Sequence, residues 1–299
     1  MIDLRRLHVL RAVAHYGTVT AAARALHFTT SAASQQIRQL ARDLGVDLLE
    51  PQGRGVRLTP AAESLLAHAD AIQERWEQAE QDLRAEHAPA GPLRVSGPST
   101  AVSVLLAPMT VRLQERHPRL SVRIQEVGVS ESFDLLFEGE TDLAIVEASP
   151  HNPPLGDARF DQQPLLDDPF DLVVPEDHPL AGRERVGLSD AAHEDWIAPV
   201  ADPCRTHVMS ACGEAGFSPG VAHHALDWNV TAHLVANRLG VALIPRLAQL
   251  TPHLPITRVR CTGNPHRKLL TCTRRGGRER PAVAAALTEL RELAPTAVA

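Results

Sequence analysis

Residues 19–45 read VTAAARALHFTTSAASQQIRQLARDLG, which is two helical patterns separated by a short turn. The first pattern follows Thr18, whose hydroxyl can accept a hydrogen bond from a free backbone N–H. Thr29 can cap the second helix in the same way, and we predict that helix over 30–44. Its apolar side chains recur at intervals of four, three and four positions and share one buried face: Ala33, Ile37, Leu40 and Leu44. The same kind of spacing over 4–14 predicts a helix before both.

The opposite face of the second helix is polar and cationic. It carries Ser31, Gln35, Arg38 and Arg42, with Ser34 and Gln36 on its flanks. Hydroxyl and amide groups can read the edges of bases, while guanidinium groups reach phosphates. A helix that lies in the major groove needs such a face. A solvated amphipathic helix would show the same pattern, so the helix alone leaves both interpretations open.

The sequence LLEPQGRGVRL at 48–58 separates the two interpretations. It reads as two short strands joined by a turn in which glycines bracket Arg54. A hairpin that follows a helix-turn-helix is a wing, and we expect Arg54 and Arg57 to contact adjacent phosphates or the minor groove. Residues 1–58 are therefore predicted to form a winged helix-turn-helix DNA-binding domain.

The charge of the chain is distributed unevenly. The formal net charge of −6 disfavours a nucleic-acid partner when it is taken as a whole. Residues 1–58, however, contain eight arginines and four acidic residues, whereas 59–90 contain two arginines and seven acidic residues. Residues 91–299 carry five further negative charges in excess. A basic head is thus masked by an acidic remainder, and we expect DNA to contact the head.

The head resembles the winged helix-turn-helix of LysR-type transcriptional regulators. The resemblance runs without a gap over about sixty residues and rests on VTAAARAL at 19–26, TTSAASQQIRQL at 29–40, LGV at 44–46 and GRGVRLTP at 53–60. Thr30 and Ser31 stand where that family usually has Gln-Pro, which should alter the base preference. Pro51 replaces a usual Arg and should weaken a backbone contact. Further departures are Ala41, Leu49 and Ala62, where Glu, Phe and Gly are usual.

The resemblance implies a function as well as a fold. A regulator of this type binds promoter DNA and senses a small molecule in a C-terminal effector domain. It assembles into tetramers built from dimers, and effector binding changes the spacing or bend of the DNA-binding heads. It needs no cofactor and acts in the cytoplasm of a bacterium, with RNA polymerase as a further expected partner.

A long helix is predicted after the head. Thr59 and Pro60 are a cap followed by proline at the first helical position. Apolar side chains then alternate by three and four over about three heptads, the spacing of a helix-pairing seam: Ala62, Leu65, Ala69, Ile72, Trp76, Ala79 and Leu83. Packing on its own domain is the alternative, but the helix is long and ends in a Pro- and Gly-rich linker before residue 92. We expect 59–90 to pair two protomers, as the linker helix of the resembling family does, and two heads to contact two half-sites.

From residue 93 onward, short apolar runs alternate with helical patterns, which indicates an α/β architecture with largely parallel sheets. The segment NRLGVALIP at 237–245 resembles part of the LysR effector domain. That domain is similar to the two-lobed periplasmic binding proteins, which the chain crosses twice between the lobes. The resemblance places lobe one at 91–161 plus 269–299 and lobe two at 162–268.

Ligands of such folds bind at the carboxyl ends of strands, where the N–H groups of the following helices face a cleft. The predicted junctions give the candidate effector-binding residues Ser99, Thr100, Gly128, Ser130, Glu147, Cys204, Arg205, Thr206, Asp227 and Trp228. Ser99, Thr100 and Arg205 suit a carboxylate, whereas Glu147 or Asp227 could hold an ammonium. An amino acid or another small carboxylate would match this set. The alternative for Ser99 and Thr100 is a capping role only.

Cys204 and Cys212 offer a second way of sensing. The segment CRTHVMSACGEAG at 204–216 resembles the redox-active segment of the peroxide-sensing branch of the same family. A helix N-terminus and Arg205 would lower the pKa of Cys204 and favour its thiolate. The cysteine spacing is one residue shorter than in that branch, and Pro203 replaces its usual His. Redox sensing is therefore kept as the alternative to a small-molecule effector.

Other classes of function find little support in the sequence. No P-loop, G-x-S-x-G or H-E-x-x-H motif occurs, so we expect no enzyme, although an enzyme with an accessory DNA-binding domain is the competing class. His207, His223 and His224 are the nearest candidates for a metal site, but adjacent histidines on a strand point to opposite faces. No apolar run approaches the ~18 residues of a membrane helix, and the N-terminus does not read as a secretory signal.

Overall fold

The computed structural model describes residues 4–52, 55–69, 72, 89–200 and 203–297. The chain divides into two compact units, Met1–Glu80 and Gln81–Ala299. The first unit contains the predicted helices and hairpin, and the second is built on a large mixed sheet. Among the described helices, none is long and apolar enough to cross a membrane.

The first unit begins with three helices: α1 at Leu4–Tyr16, α2 at Val19–Ala25 and α3 at Thr30–Leu44. Each helix contacts the other two. The apolar side chains between them are buried, among them Leu7, Leu10, Val13, Ala22, Ala23, Ile37 and Leu40. The small alanines of α2 allow the helix backbones to approach closely.

The start and the end of these helices follow from local chemistry. Thr18 Oγ1 accepts a hydrogen bond from the Ala21 N–H at 3.1 Å, and Thr29 Oγ1 accepts one from the Ala32 N–H at 3.1 Å. Both predicted caps are thereby confirmed. Gly45 ends α3 with a left-handed φ of 70°, a conformation that favours glycine because any Cβ would be strained there.

A hairpin and a fourth helix follow. The hairpin consists of β1 at Leu49–Gln52 and β2 at Gly55–Leu58, paired antiparallel. The helix α4 covers the described residues 60–69. Thr59 Oγ1 accepts a hydrogen bond from the Ala62 N–H at 3.2 Å and donates one to the carbonyl oxygen of Asp47 at 2.7 Å. The predicted helix start at Thr59 and Pro60 is therefore confirmed.

The strands of the second unit are β3 at Gly91–Gly97, β4 at Leu120–Glu126, β5 at Leu143–Glu147, β6 at Phe160–Pro175, β7 at Arg185–Val186, β8 at Asp195–Ala198, β9 at Gly220–His224, β10 at Ala242–Pro245, β11 at Ile256–Cys261 and β12 at His266–Arg274. Its helices are α5 over 99–116, α6 at Val129–Glu138, α7 at Cys204–Glu214, α8 at Trp228–Ala236 and α9 at Pro281–Ala297. The large sheet has the order β4-β3-β5-β12-β6-β11-β7, with β10 also on β6, while β8 and β9 pair separately.

The strand β6 joins the two halves of the large sheet. Over 160–169 it pairs antiparallel with β12, and over 170–175 it pairs antiparallel with β10 and β11. Residues 161–168 have polar residues and a proline instead of an alternating pattern, so no local signal predicts the first half of this strand. The expectation of largely parallel sheets is wrong at these strands. The chain crosses between the lobes and returns in the opposite direction, so the crossing strands pair antiparallel.

Separate clusters of buried apolar side chains fill the two lobes. One cluster surrounds β3, β5, α5 and α9 and contains Leu105, Met109 and Ile145. Others surround the second half of β6 with α7 and α8, and contain Trp196 and Trp228. The predicted lobe limits fall inside β6 and β12, which means that these two strands are shared between the lobes.

Candidate functional site

The polar face of α3 lies on the surface of the first unit. Its apolar residues Ala33, Ile37 and Leu40 are buried. The predicted DNA-contacting residues are exposed, with Ser34 half-buried at the edge: Thr30, Ser31, Ser34, Gln35, Arg38 and Arg42. The helix therefore presents hydroxyl, amide and guanidinium groups outward together, as reading of a major groove requires.

Two residues that the sequence did not single out position this face. Arg42 donates to Gln39 Oε1, and Gln39 Nε2 donates to Asp43 Oδ1 at 2.7 Å. Asp43 also pairs with Arg6 of α1. The end of α3 is thus attached to α1 through side chains, and Arg42 is held along the helix surface. The spacing of Gln39, Arg42 and Asp43 at three and four residues is the available sequence signal.

The wing has its own internal ion pair. Glu50 and Arg57 stand opposite each other in the hairpin, and Arg57 Nε donates to Glu50 Oε1 at 2.7 Å. The Arg57 side chain is 62% exposed. An exposed pair of this kind contributes little stability, so a DNA phosphate can compete for the guanidinium. Arg54 lies outside the described residues.

In the first turns of the predicted pairing helix, part of the apolar seam is exposed to solvent. Ala69 is buried and Leu65 half-buried, whereas Ile72 is 66% exposed. Trp76, Ala79 and Leu83 lie outside the described residues. Dimerisation through this seam stays a prediction.

The second unit contains a cleft of about 530 Å³ at the carboxyl ends of several strands. Of the candidate effector-binding residues, it is lined by Ser99, Thr100, Gly128, Glu147, Cys204 and Trp228. Glu147 is the last residue of β5 and the others follow β3, β4, β8 and β9, which is where the open-sheet rule places a ligand. Glu126, Glu131 and Arg267 also line the cleft and were not predicted.

Four candidates, all within the described part of the chain, lie outside the lining of this cleft. Ser130 contacts Asn152, and Asp227 Oδ1 accepts a hydrogen bond from the Val230 N–H at 2.9 Å to cap α8. Arg205 and Thr206 follow Cys204 in α7. Successive side chains of a helix are about 100° apart, so Cys204 and its two neighbours cannot all face the cleft; Arg205 instead extends its guanidinium to the carbonyl oxygen of Pro199, at 3.5 Å. This corrects the expectation that consecutive residues share the site.

A buried polar network forms the floor of the cleft. Arg267 Nε donates to Asp168 Oδ2 at 2.9 Å, and its Nη2 donates to Thr100 Oγ1 at 2.7 Å. Arg267 Nη1 lies 3.5 Å from Glu147 Oε2. The side chains of Arg267, Asp168 and Glu147 are 2%, 0% and 0% exposed. Burial raises the pKa of Asp168 above its ordinary value, against the attraction of Arg267.

Thr100 does not act as a helix cap. The residue at the capping position of α5 is Pro98, and the Thr100 hydroxyl instead accepts a hydrogen bond from Arg267. A π-helical turn at Val102–Leu106 follows within α5. Such turns often occur at functional sites. The capping alternative is therefore wrong for Thr100, whose hydroxyl belongs to the floor of the cleft.

Glu147 also connects the two lobes. Its Oε1 is paired with Nε2 of His207, which belongs to α7 and lies against the ring of Phe170 at 5.7 Å between centroids. Glu147 is the last residue of β5, so the pair joins a strand of lobe one to a helix of lobe two. The sequence offered His207 only as a candidate metal ligand. Within the described residues, no group of three or more His, Cys, Asp or Glu side chains could hold a metal ion.

The cysteines are placed unfavourably for redox sensing. Burial and the charge of Glu147 raise the pKa of Cys204 to about 11, and burial raises that of Cys212 to about 12. The expectation of a lowered Cys204 pKa is therefore wrong. The two residues lie in one helix eight positions apart, which corresponds to about 12 Å along its axis. A disulfide needs Cα atoms within about 7 Å, so α7 would have to unfold to form it.

Comparisons with known proteins agree with this architecture. Residues 4–63 match the bacterial regulatory helix-turn-helix protein of the lysR family, and 86–295 match the LysR substrate binding domain. The transcriptional regulator AlsR of Bacillus subtilis is 28% identical over 263 residues, which cover 86% of this chain and 84% of that protein. A hydrogen peroxide-inducible genes activator of Dickeya chrysanthemi is 30% identical over 249 residues, covering 83% and 80%.

A solved structure shows the same fold over nearly the whole length. The OxyR C206 mutant of Corynebacterium glutamicum superposes with a TM-score of 0.62 at 25% identity, and the alignment covers 99% of this chain and 92% of that one. The matched relatives are regulators and not enzymes, and the family matches cover the head and the body together. The chain belongs to the LysR family of transcriptional regulators, which bind DNA through the helix-turn-helix and a small-molecule effector through the C-terminal domain.

Proposed function

We propose that this regulator reads a pseudo-palindromic promoter site with α3 of each protomer in a major groove. The exposed polar face of α3 carries this proposal, with Gln35 at its centre. Amide and hydroxyl groups on that face would contact base edges, and Arg38 and Arg42 would contact phosphates. Arg54 and Arg57 of the wing would hold the neighbouring backbone or enter the minor groove.

The assembly we propose is a dimer that pairs through 59–90, and a tetramer made of two such dimers. The exposed side chain of Ile72 supports the pairing, because an apolar group of this size gains free energy when a partner covers it. Such a tetramer would contact DNA in the bacterial cytoplasm, and RNA polymerase bound at the same promoter would be its partner in transcription.

The effector we propose is a small molecule bound in the cleft between the lobes, with an amino acid as the first candidate. Glu147 would accept hydrogen bonds from an ammonium group. Backbone N–H groups at the starts of α5 and α6, near Ser99 and Gly128, would face a carboxylate at the other end. Other carboxylates are less well supported, since Arg205 lies outside the cleft and Arg267 is already paired with Asp168.

Some relatives are named as hydrogen peroxide-inducible activators, including the Dickeya chrysanthemi protein. A peroxide sensor needs a thiolate that reacts and a second thiol within reach. In this chain, burial raises the pKa of both Cys204 and Cys212, and α7 separates them along its axis. These observations support a bound effector rather than a disulfide as the signal.

Sequencing of DNA fragments captured by the purified full-length protein tests the proposal. We expect a pair of inverted half-sites one or more helical turns apart among the enriched fragments. Capture in the presence of amino acids should change the enrichment or the extent of the protected DNA. Recovery of fragments without any common inverted motif would contradict the proposed function.

A further inference from the structure

The ionisable groups around the cleft are mainly acidic. Glu126, Glu131 and Glu147 line it, and the guanidinium of Arg267 is the basic group among the lining residues that the structure describes. Arg267 is itself bound by Asp168 through Nε and Nη2. The cleft and its floor therefore contain four carboxylates and one guanidinium.

Glu147 has unused hydrogen-bonding capacity in this cleft. Its side chain is 0% exposed, and its Oε1 is paired with His207. Among the described residues, none donates a hydrogen bond to its Oε2, although Arg267 Nη1 lies 3.5 Å away. Burial of a carboxylate oxygen without a hydrogen bond costs free energy, and the attraction of Arg267 at 3.5 Å offsets only part of that cost. A ligand with N–H donors would supply what the protein does not.

Arg267 cannot serve as a carboxylate receptor without giving up existing bonds. Its Nε and Nη2 are engaged with Asp168 and Thr100, and its Nη1 faces Glu147. Among the described lining residues, a carboxylate placed at the floor of the cleft would find no cation besides Arg267 and would stand beside Glu147, and like charges at such a distance repel. The floor thus favours a donor of hydrogen bonds and disfavours an acceptor.

We infer that the effector of this regulator is a primary amine or a basic amino acid, and that Glu147 selects it by binding its ammonium group at Oε2. This inference rests on the proposed function, since it names the ligand class of the same cleft. An ammonium has three N–H donors and can satisfy Oε2 while it shares Oε1 with His207. Because His207 belongs to α7, a bound amine would act on the contact between the lobes.

Cadaverine and glutarate, a matched pair of five-carbon ligands, test the inference with the full-length protein, and lysine is added as a basic amino acid. Isothermal titration calorimetry and thermal shift would compare cadaverine and lysine, which carry ammonium groups, with glutarate, which carries carboxylates only. We expect cadaverine and lysine to bind and to raise Tm, and glutarate to do neither. In Glu147→Gln, the affinity for cadaverine should fall by roughly tenfold to a hundredfold. Glu184→Gln, an exposed position outside the cleft, should match the wild type.

A second variant at an exposed position keeps the test informative if Glu147→Gln fails to fold. Glu131→Gln changes an exposed carboxylate at the rim of the cleft and should weaken cadaverine binding severalfold. Absence of binding by both amines, preferential binding of glutarate, or amine affinity unchanged in Glu147→Gln and Glu131→Gln would each overturn the inference. Fluorescence anisotropy with a captured promoter fragment is measured in parallel. A wild-type protein that binds no promoter fragment would contradict the proposed function. The ligand titrations test separately whether the effector is an amine.

Discussion

Arg267 and Asp168 form an ion pair that is sealed from solvent, with Nη2 2.8 Å from Oδ2 and the two side chains 2% and 0% exposed. Arg267 comes from β12 and Asp168 from β6, the two strands shared between the lobes. The same guanidinium holds Thr100 and faces Glu147. The floor of the cleft is therefore built on the strands that connect the lobes, and a ligand bound at Glu147 would act where the lobes meet.

Removing the charge of Arg267 should strongly destabilise the second unit of the chain. In Arg267→Gln, Asp168 would keep a buried carboxylate without its counter-ion, and breaking a buried pair in this way costs about 3–5 kcal/mol of unfolding free energy. Urea unfolding of the full chain measures the change. Arg183→Gln is the matched control, because Arg183 pairs with Asp190 at the surface, and we expect it to cost less than about 1 kcal/mol. Equal losses in the two variants would contradict the assignment.

A second buried carboxylate predicts how stability depends on pH. Burial alone would raise the pKa of Asp142, but hydrogen bonds from Arg94 and Arg280 hold it below its ordinary value. The ionised form is thus favoured in the folded state. Its contribution to stability is present above the unfolded pKa of about 3.9 and is lost as pH falls through the folded pKa. The difference in urea midpoint between wild type and Asp142→Asn should shrink between pH 6 and pH 3, and a constant difference would contradict the prediction.

The DNA-contacting residues should separate into two kinds. Gln35→Ala removes an amide at the centre of the exposed face of α3 and should change the preferred base at one position of each half-site, by about 1–3 kcal/mol of discrimination. Arg57→Ala removes a phosphate contact and should weaken all sequences. The logarithmic salt slope of binding should then decrease in magnitude by about 0.9 for each protomer bound.

Fluorescence anisotropy at several salt concentrations checks both effects on the captured site and on base-substituted copies. Arg54→Ala should behave like Arg57→Ala. Arg291→Ala changes an exposed arginine of α9 and should leave the slope unchanged. If Gln35→Ala, Arg54→Ala and Arg57→Ala all kept the wild-type base preference and salt slope of DNA binding, α3 and the wing would not contact the site.

Much of the head was predictable, because its signals are local. Thr18, Thr29 and Thr59 each begin a helix by accepting a bond from an N–H three residues later. Such caps and the spacing of apolar residues involve neighbours in the chain. The first half of β6 is the opposite case. Residues 160–169 form a strand only because β12, about a hundred positions away, supplies its hydrogen bonds, and no local pattern reports that partner.

The cleft was predictable to the extent that it follows strand ends. Ser99 and Gly128 lie two residues beyond the ends of β3 and β4, Glu147 is the last residue of β5, and all three line the cleft as expected. Arg267 was missed because it lies inside a strand and reaches the cleft by the length of its side chain. Its signal was an arginine between His266 and Lys268 at the start of a strand, which has no defined meaning without the position of Asp168. Arg205 was chosen for its charge, but it is not among the lining residues, and its guanidinium lies 3.5 Å from the carbonyl oxygen of Pro199.

The raised pKa of Cys204 predicts slow chemistry at its thiol. With a pKa of about 11, the thiolate at pH 7 is roughly one part in ten thousand, against a few per cent for an ordinary cysteine. Peptide-resolved mass spectrometry of iodoacetamide labelling should show a rate about two orders of magnitude below that of N-acetylcysteine and still rising at pH 10. Glu147→Gln should increase the rate, since it removes a neighbouring negative charge. A Cys204–Cys212 disulfide after peroxide treatment would contradict this prediction and support redox sensing.

The exposed side chain of Ile72 predicts how the protomers pair. If 59–90 forms the dimer, two copies of Ile72 are buried on association, and each is worth about 1.5–3 kcal/mol. A charge at this position would lose that energy and be desolvated as well, so Ile72→Glu should raise the dimer dissociation constant by more than tenfold. Ser64→Glu places the same side chain at an exposed polar position of α4 and is the matched control. Sedimentation equilibrium measures both variants. An unchanged constant for Ile72→Glu would favour the alternative in which this helix packs on its own domain, and the protomers would then have to associate through another surface.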